Sequence, residues 1–183
     1  MEYINGISLL ETIKQDKKHY LEESRAIKIF KQIVKGIIYC QSKNICHRDI
    51  KLENILLIKD DIVKIIDFGF AVKTTKETYQ KLFCGTPSYM APEIVNKEKY
   101  IAQYSDIWSL GILFFAMLYG RFPFRAKQQE ALFEKINEAN VIFPEDIEIN
   151  DVIKNMIKKI LVVIPTQRLS LNELLNELEL LDN

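Results

Sequence analysis

His47-Arg48-Asp49-Ile50-Lys51-Leu52-Glu53-Asn54 packs acids, cations and a carboxamide into eight residues between two apolar segments. Such density is unusual for a connecting loop, and loops held by a rigid scaffold are where binding and catalysis concentrate. The stretch is therefore the first candidate for an active site, and the flanking sequence must supply its scaffold.

Downstream, residues 55–58 and 62–66 are short, β-branched runs separated by Lys59-Asp60-Asp61, the pattern of a small hairpin. A hairpin here returns Asp67 of Asp67-Phe68-Gly69 towards Asn54. Upstream, Ser8 with Glu11 three positions on has capping-box spacing and predicts a short helix over 8–15. Over residues 20–43, Ala26, Phe30, Ile33, Val34, Ile37 and Ile38 recur every three or four positions, with Glu22, Glu23, Lys28, Lys31 and Lys35 off that stripe. This predicts an amphipathic helix. Residues 73–83 are polar and aperiodic and predict a mobile loop ending at the turn Gly85-Thr86-Pro87. Four helices are then expected, over about 103–119, 126–139, 151–162 and 170–181, punctuated by Gly120, Pro123, Pro144 and Pro165. The expected class is mainly α with a few short β-hairpins.

The chain of 183 residues suits one domain. Its 25 basic and 25 acidic side chains leave no net charge, which argues against nucleic acid or an anionic membrane as partner. Residues 107–119 are apolar but too short for a bilayer, which needs about 20. No secretory signal pattern opens the chain. Cys40, Cys46 and Cys84 form no C-x-x-C pair or disulfide framework, so a reducing, cytoplasmic compartment is expected.

Asn54 and Asp67 together offer two oxygen donors, a set that suits Mg²⁺ shared with a substrate phosphate. Asp49 is then free for another task. Lys51, two positions on in an extended loop, faces the same side and can offset charge there. Together the pair could orient a hydroxyl and neutralise a phosphoryl group.

His47-Arg48-Asp49-x-Lys51-x-x-Asn54, Asp67-Phe68-Gly69, Gly85-Thr86-Pro87 and Ala91-Pro92-Glu93 resemble, in order and spacing, the eukaryotic-type protein kinases. The likeness continues through Ser105 to Gly111 and Arg168, and covers the C-terminal lobe of the protein-kinase-like fold. It implies Asp49 as the catalytic base and Lys51 as a contact of the ATP γ-phosphate, with Mg²⁺ on Asn54 and Asp67. Lys51 and Thr86 resemble the Ser/Thr branch, so protein Ser and Thr hydroxyls are the implied acceptors. Phe70 resembles kinases that prefer serine. Residues 84–93 and 104–124 look most like the calcium/calmodulin-dependent and AMP-activated-like group.

The resemblance also assigns structural roles. Glu93 and Arg168 look like a buried ion pair, Asp106 like the brace of the His47-Arg48 backbone, and His47 like a structural contact of the Phe68 region. Trp108, Phe114 and Phe115 read as core. Met1-Glu2-Tyr3-Ile4 looks like the hinge, with Glu2 and Ile4 offering backbone bonds to adenine and Leu56 as the pocket floor.

Two departures stand out. The six glycines include no G-x-G pair, and no V-A-I-K-type lysine precedes the hinge. The N-terminal lobe is therefore expected to be missing, and the chain alone inactive. Leu82 also stands where such kinases usually carry an activating Ser or Thr. Two readings remain: the C-terminal lobe of a Ser/Thr kinase separated from its partner lobe, or a non-catalytic module that binds substrates or another kinase. Intact Asp49, Asn54 and Asp67 favour the first.

Overall fold

A segment that is apolar on every side can only be satisfied by burial on every side, and residues 102–119 meet that condition. In the computed structural model, which describes residues 4–75 and 78–181, they form a central helix, α4 (Ala102–Tyr119), in which nearly every residue is buried. Among the described residues no helix is long and apolar enough to cross a membrane. Trp108, Phe114 and Phe115 are core, as their sequence context suggests.

The amphipathic helix α2 (Glu23–Ser42) lays its predicted stripe against α4, with the rings of Phe30 and Phe114 stacked at 4.0 Å. Ala26, Phe30, Ile33, Val34 and Ile37 are buried, while Lys28 and Lys35 face water. Before it, α1 (Leu9–Gln15) starts where expected: the Ser8 hydroxyl accepts from the Glu11 amide. At its far end α4 stops at Gly120, whose φ of +61° suits glycine and whose Cα lies so close to His19 that a Cβ would meet its carbonyl oxygen at 2.0 Å. Helix α6 (Asp151–Ile160) crosses α4 at Gly111, where a Cβ would come within 2.6 Å of Ile160. Helices α3 (Pro92–Val95), α5 (Gln129–Glu138) and α7 (Leu171–Leu180) complete the helical mass, α7 starting at a full capping box of Ser170 and Glu173.

Strands are few and short. Strand β1 (Ile7–Ser8) pairs with β3 (Ile55–Ile58), which pairs with β4 (Ile62–Ile65), all antiparallel. The expected hairpin is thus present, with Ile55 opposite Ile65 and Ile58 opposite Ile62. Two features sharpen it: Arg25 bonds both Asp61 carboxylate oxygens at 2.8 Å, and the Gln32 amide bridges the Asp61 carbonyl and the Val63 amide.

The loop expected at 73–83 is more ordered in part. Strand β5 (Val72–Lys73) pairs with β2 (Ile45–Cys46), the Thr74 amide donates to the Asn44 carbonyl at 2.7 Å, and Gln80 and Tyr100 form a two-bond bridge. Backbone pairing across the chain replaces the missing periodicity of the segment itself.

Arg168 and Glu93 form the expected buried pair, bonded twice at 2.7 and 2.8 Å. The guanidinium also donates to the carbonyls of Tyr104, Val162 and Val163 and lies over the Trp108 ring. Removing it would strand a buried carboxylate and three acceptors. Arg168→Ala is expected to lose about 3–5 kcal/mol of unfolding free energy, read from the shift of the urea midpoint.

Candidate active site

The loop that follows β2 gathers its polar groups around one buried carboxylate. Asp49 is 5% exposed and accepts from Lys51 Nζ at 2.7 Å, Asn54 Nδ2 at 3.1 Å and the Thr86 hydroxyl at 3.1 Å. Lys51 Nζ also donates to Thr86 Oγ1 at 3.2 Å. Residues separated by up to 37 positions thus converge on two oxygens. The pairing of Asp49 with Lys51 follows their two-residue spacing in an extended segment, since Lys51 has φ −159° and ψ 164°.

The backbone of this loop is held from behind. Asp106, buried in α4, accepts the His47 amide on one oxygen and the Arg48 amide on the other, each at 2.8 Å. Arg48 has φ +64°, a left-handed conformation that costs energy in a non-glycine residue. Burial pushes the Asp106 carboxyl up to about 6, with the two amide bonds and the Arg48 charge pulling the other way. His47 is buried too: its Nε2–H donates to the Ile66 carbonyl at 3.0 Å and its Nδ1 accepts from the Asp49 amide at 3.3 Å. That pattern fixes a neutral imidazole, and burial lowers its pKa accordingly. With its ring 4.7 Å from that of Phe68, His47 has the structural part expected of it.

Asn54 and Asp67 are brought together by the hairpin, since the Ile66 amide donates to the Asn54 carbonyl at 2.9 Å. The Asn54 Nδ2 is committed to Asp49, with a further bond to its carbonyl at 2.9 Å, which leaves Oδ1 without a donor among the described residues. Asp67 is exposed, left-handed at φ +60°, and accepts from the Gly69 amide on one oxygen. Free oxygens on adjacent segments fit a hard cation shared with phosphate. Leu56 lies on the half-buried face of β3, opposite the core-facing Ile55 and Leu57. Ile4 is half-buried and outside any strand, while Glu2 lies outside the described residues.

The turn that carries Thr86 has its own support. Gly85, at φ +110°, lies so close to the Arg48 carbonyl that a Cβ would sit 3.3 Å from that oxygen. The Tyr100 hydroxyl donates to the Leu82 carbonyl at 3.0 Å and touches Cys84 Sγ at 3.8 Å. Arg48 Nε donates to the Phe70 carbonyl at 2.7 Å, so the chain's own backbone occupies part of the guanidinium. Tyr89 is a further positioning group, its hydroxyl accepting from the Leu52 amide at 3.2 Å. Neither tyrosine is visible as functional in sequence; each reads as an ordinary apolar residue until the fold brings it across 18 or 37 positions.

A family model described as protein kinase domain matches residues 1–178. The chain is 39% identical over 173 residues to the putative sperm motility kinase W of Mus musculus, covering 94% of the chain and 34% of that protein. It is 40% identical over 176 residues to the probable serine/threonine-protein kinase HSL1 of Saccharomyces cerevisiae, covering 96% and 11%. Against serine/threonine-protein kinase SRK2E of Arabidopsis thaliana the figures are 34% over 182 residues, 96% and 50%. The chain spans half or less of the length of these curated relatives.

Two outcomes are expected. Asp106→Asn turns one acceptor oxygen into a donor facing a backbone N–H and should cost about 1–3 kcal/mol or more. The Asp106 carboxyl is raised on folding, so its stabilising contribution is full below the unfolded value of about 3.9 and lost as pH rises through about 6. The stability deficit of the variant should therefore be largest near pH 4 and narrow towards pH 7 in urea titrations. Tyr100→Phe removes one hydrogen bond from the segment before Thr86. Alkylation of Cys84 by iodoacetamide, followed by mass spectrometry, should accelerate about fivefold, the factor that about 1 kcal/mol supports.

Proposed function

The chain belongs to the protein kinase family, in its serine/threonine branch, and from that premise we propose that it forms the acceptor-side half of a phosphotransfer site moving the ATP γ-phosphate to protein Ser and Thr hydroxyls. The observation that carries this reading is the carboxylate of Asp49, buried, triply bonded and within 2.7 Å of Lys51. A substrate hydroxyl taking the place of the Thr86 hydroxyl on Asp49 would be oriented for attack and give its proton to that carboxylate. Lys51, released towards the transferred group, would offset charge that develops there.

Asn54 and Asp67 would hold Mg²⁺, which supplies neutralisation of phosphate charge when bound with ATP. Backbone groups of Glu2 and Ile4 would meet the adenine and Leu56 would floor its pocket. Phe68 and Phe70, 44% and 45% exposed, leave an apolar surface beside Asp67 that a covering lobe would bury. A glycine-rich loop and an α/β-phosphate lysine are not in the 183 residues, so we infer that they come from another segment or chain, and that these residues alone have negligible activity. Missing several preorganised donors at about 10²–10³ each in rate is enough for that. Residues 84–93 and 104–124 support placement in the calcium/calmodulin-dependent and AMP-activated-like group. Unpaired Cys40, Cys46 and Cys84 support a reducing cytoplasm as its place of work.

The test compares phosphotransfer from labelled ATP to matched Ser and Thr peptides by these residues alone and by the chain extended with its own upstream coding sequence. The extended protein should phosphorylate the Ser peptide faster, and Asp49→Asn should lower its rate by about 10²–10⁴. No transfer by the extended protein would favour the second reading, a module that binds substrates or other kinases without catalysis, whereas full transfer with Asp49→Asn would overturn the role given to Asp49.

A further inference from the structure

Beyond Gly120, the loop leading to α5, part of α5 and residues 142–146 enclose an open cleft of about 900 Å³. Its lining carries Arg121, Arg125, Lys127 and Lys135 against one carboxylate, Asp146, which pairs with Arg121. Lys135 donates to the Arg125 carbonyl at 2.9 Å. The side chains of Arg125 and Lys127 have no hydrogen-bond or ion-pair partner among the described residues. Glu130, Glu134 and Glu138, spaced at four along α5, are not in the lining. The Arg121 guanidinium is only partly satisfied: one terminal nitrogen pairs with Asp146, while its Nε is buried with no acceptor among the described residues. A guanidinium N–H shut off from water is costly, and a carboxylate oxygen is the acceptor that relieves it most strongly.

The cleft adjoins the candidate active site. Phe122, in its wall, meets Tyr89 edge-on at 5.2 Å, and the Tyr89 hydroxyl accepts the Leu52 amide inside the polar loop. Tyr89 itself follows Thr86, which bonds Asp49, by three residues. Through Phe122 and the buried Tyr89 the cleft wall is thus tied to the loop that carries Asp49, and a protein segment with its hydroxyl at Asp49 would extend over the surface outside them to enter the cleft. The exposed Ile142 supplies an apolar edge on which such a segment can rest.

We propose that this cleft binds an Asp/Glu-bearing segment of the protein substrate, flanking the hydroxyl that is phosphorylated. The proposal rests on the phosphotransferase reading for its occupant, but it is a binding statement and its test needs no turnover. Charge complementarity selects the occupant: unpartnered cations recognise carboxylates, and lysine-rich segments are repelled.

The test uses the 183-residue chain and three fluorescent Ser peptides of one length, carrying Asp/Glu, Asn/Gln or Lys on the flank, followed by anisotropy without ATP. The Asp/Glu peptide should bind about tenfold or more tighter than the Asn/Gln peptide, and weaken between about 50 mM and 300 mM salt. Arg125→Glu with Lys127→Glu should abolish that preference, while Lys28→Glu, outside the cleft, should keep it. Equal affinities for the three peptides overturn the proposal on the parent chain alone, whether or not the variants fold. So does a preference that survives the double reversal. Selective binding combined with absent phosphotransfer by the extended protein would sink only the phosphotransferase reading.

Discussion

The Asp106 carboxylate accepts two consecutive backbone amides, those of His47 and Arg48, from inside the most buried helix of the molecule. A loop that carries an acid, a lysine and a carboxamide towards one point has little reason to hold that shape by itself, and one of its residues sits at φ +64°. Cross-chain hydrogen bonds from a rigid element can offset that strain. The cost falls on Asp106, whose burial raises its pKa to about 6. A buried acceptor with two donors is stabilised by those donors and penalised by its own desolvation; here the penalty on the charged form is the larger, and the rest of the α4 packing carries it.

A second buried ionic group does comparable work on the other side. Arg168 fixes Glu93, and Glu93 opens the short helix that follows the Thr86 turn. Since the guanidinium also bonds the Tyr104 carbonyl, the turn and the start of α4 are tied to one cation. The polar loop and the turn therefore share α4 as a common base, and that is why Asp49 and Thr86, 37 positions apart, meet within hydrogen-bond distance.

Much of this was legible beforehand, because the signals were local. The stripe of α2, the Ser8 cap, the β-branched hairpin and the apolar run within α4 each express one physical period or one capping rule. Asp106 and the Glu93–Arg168 pair were legible only through family resemblance, since nothing about an isolated Asp or Arg announces a partner 58 or 75 residues away. The order at Val72–Lys73 and at Gln80 has no local signal for the same reason: that strand and bridge are made with Ile45, Cys46 and Tyr100, not with sequence neighbours. Tyr89 and Tyr100 give no sign of their roles in sequence, because a tyrosine has no mark there that separates a core ring from a positioned hydroxyl.

The two halves of the polar site are built to different degrees of rigidity. Asp49 is buried and held by three donors, whereas Asp67 is exposed and held by one, beside the exposed rings of Phe68 and Phe70. A carboxylate fixed by several bonds is preorganised and pays little to act on an incoming hydroxyl. A carboxylate on an open, apolar rim needs a cover before water is excluded and its charge gains strength. The asymmetry is therefore one of preorganisation, with the Asp49 and Thr86 side fixed by hydrogen bonds within the described residues and the Asp67 side open beside Phe68.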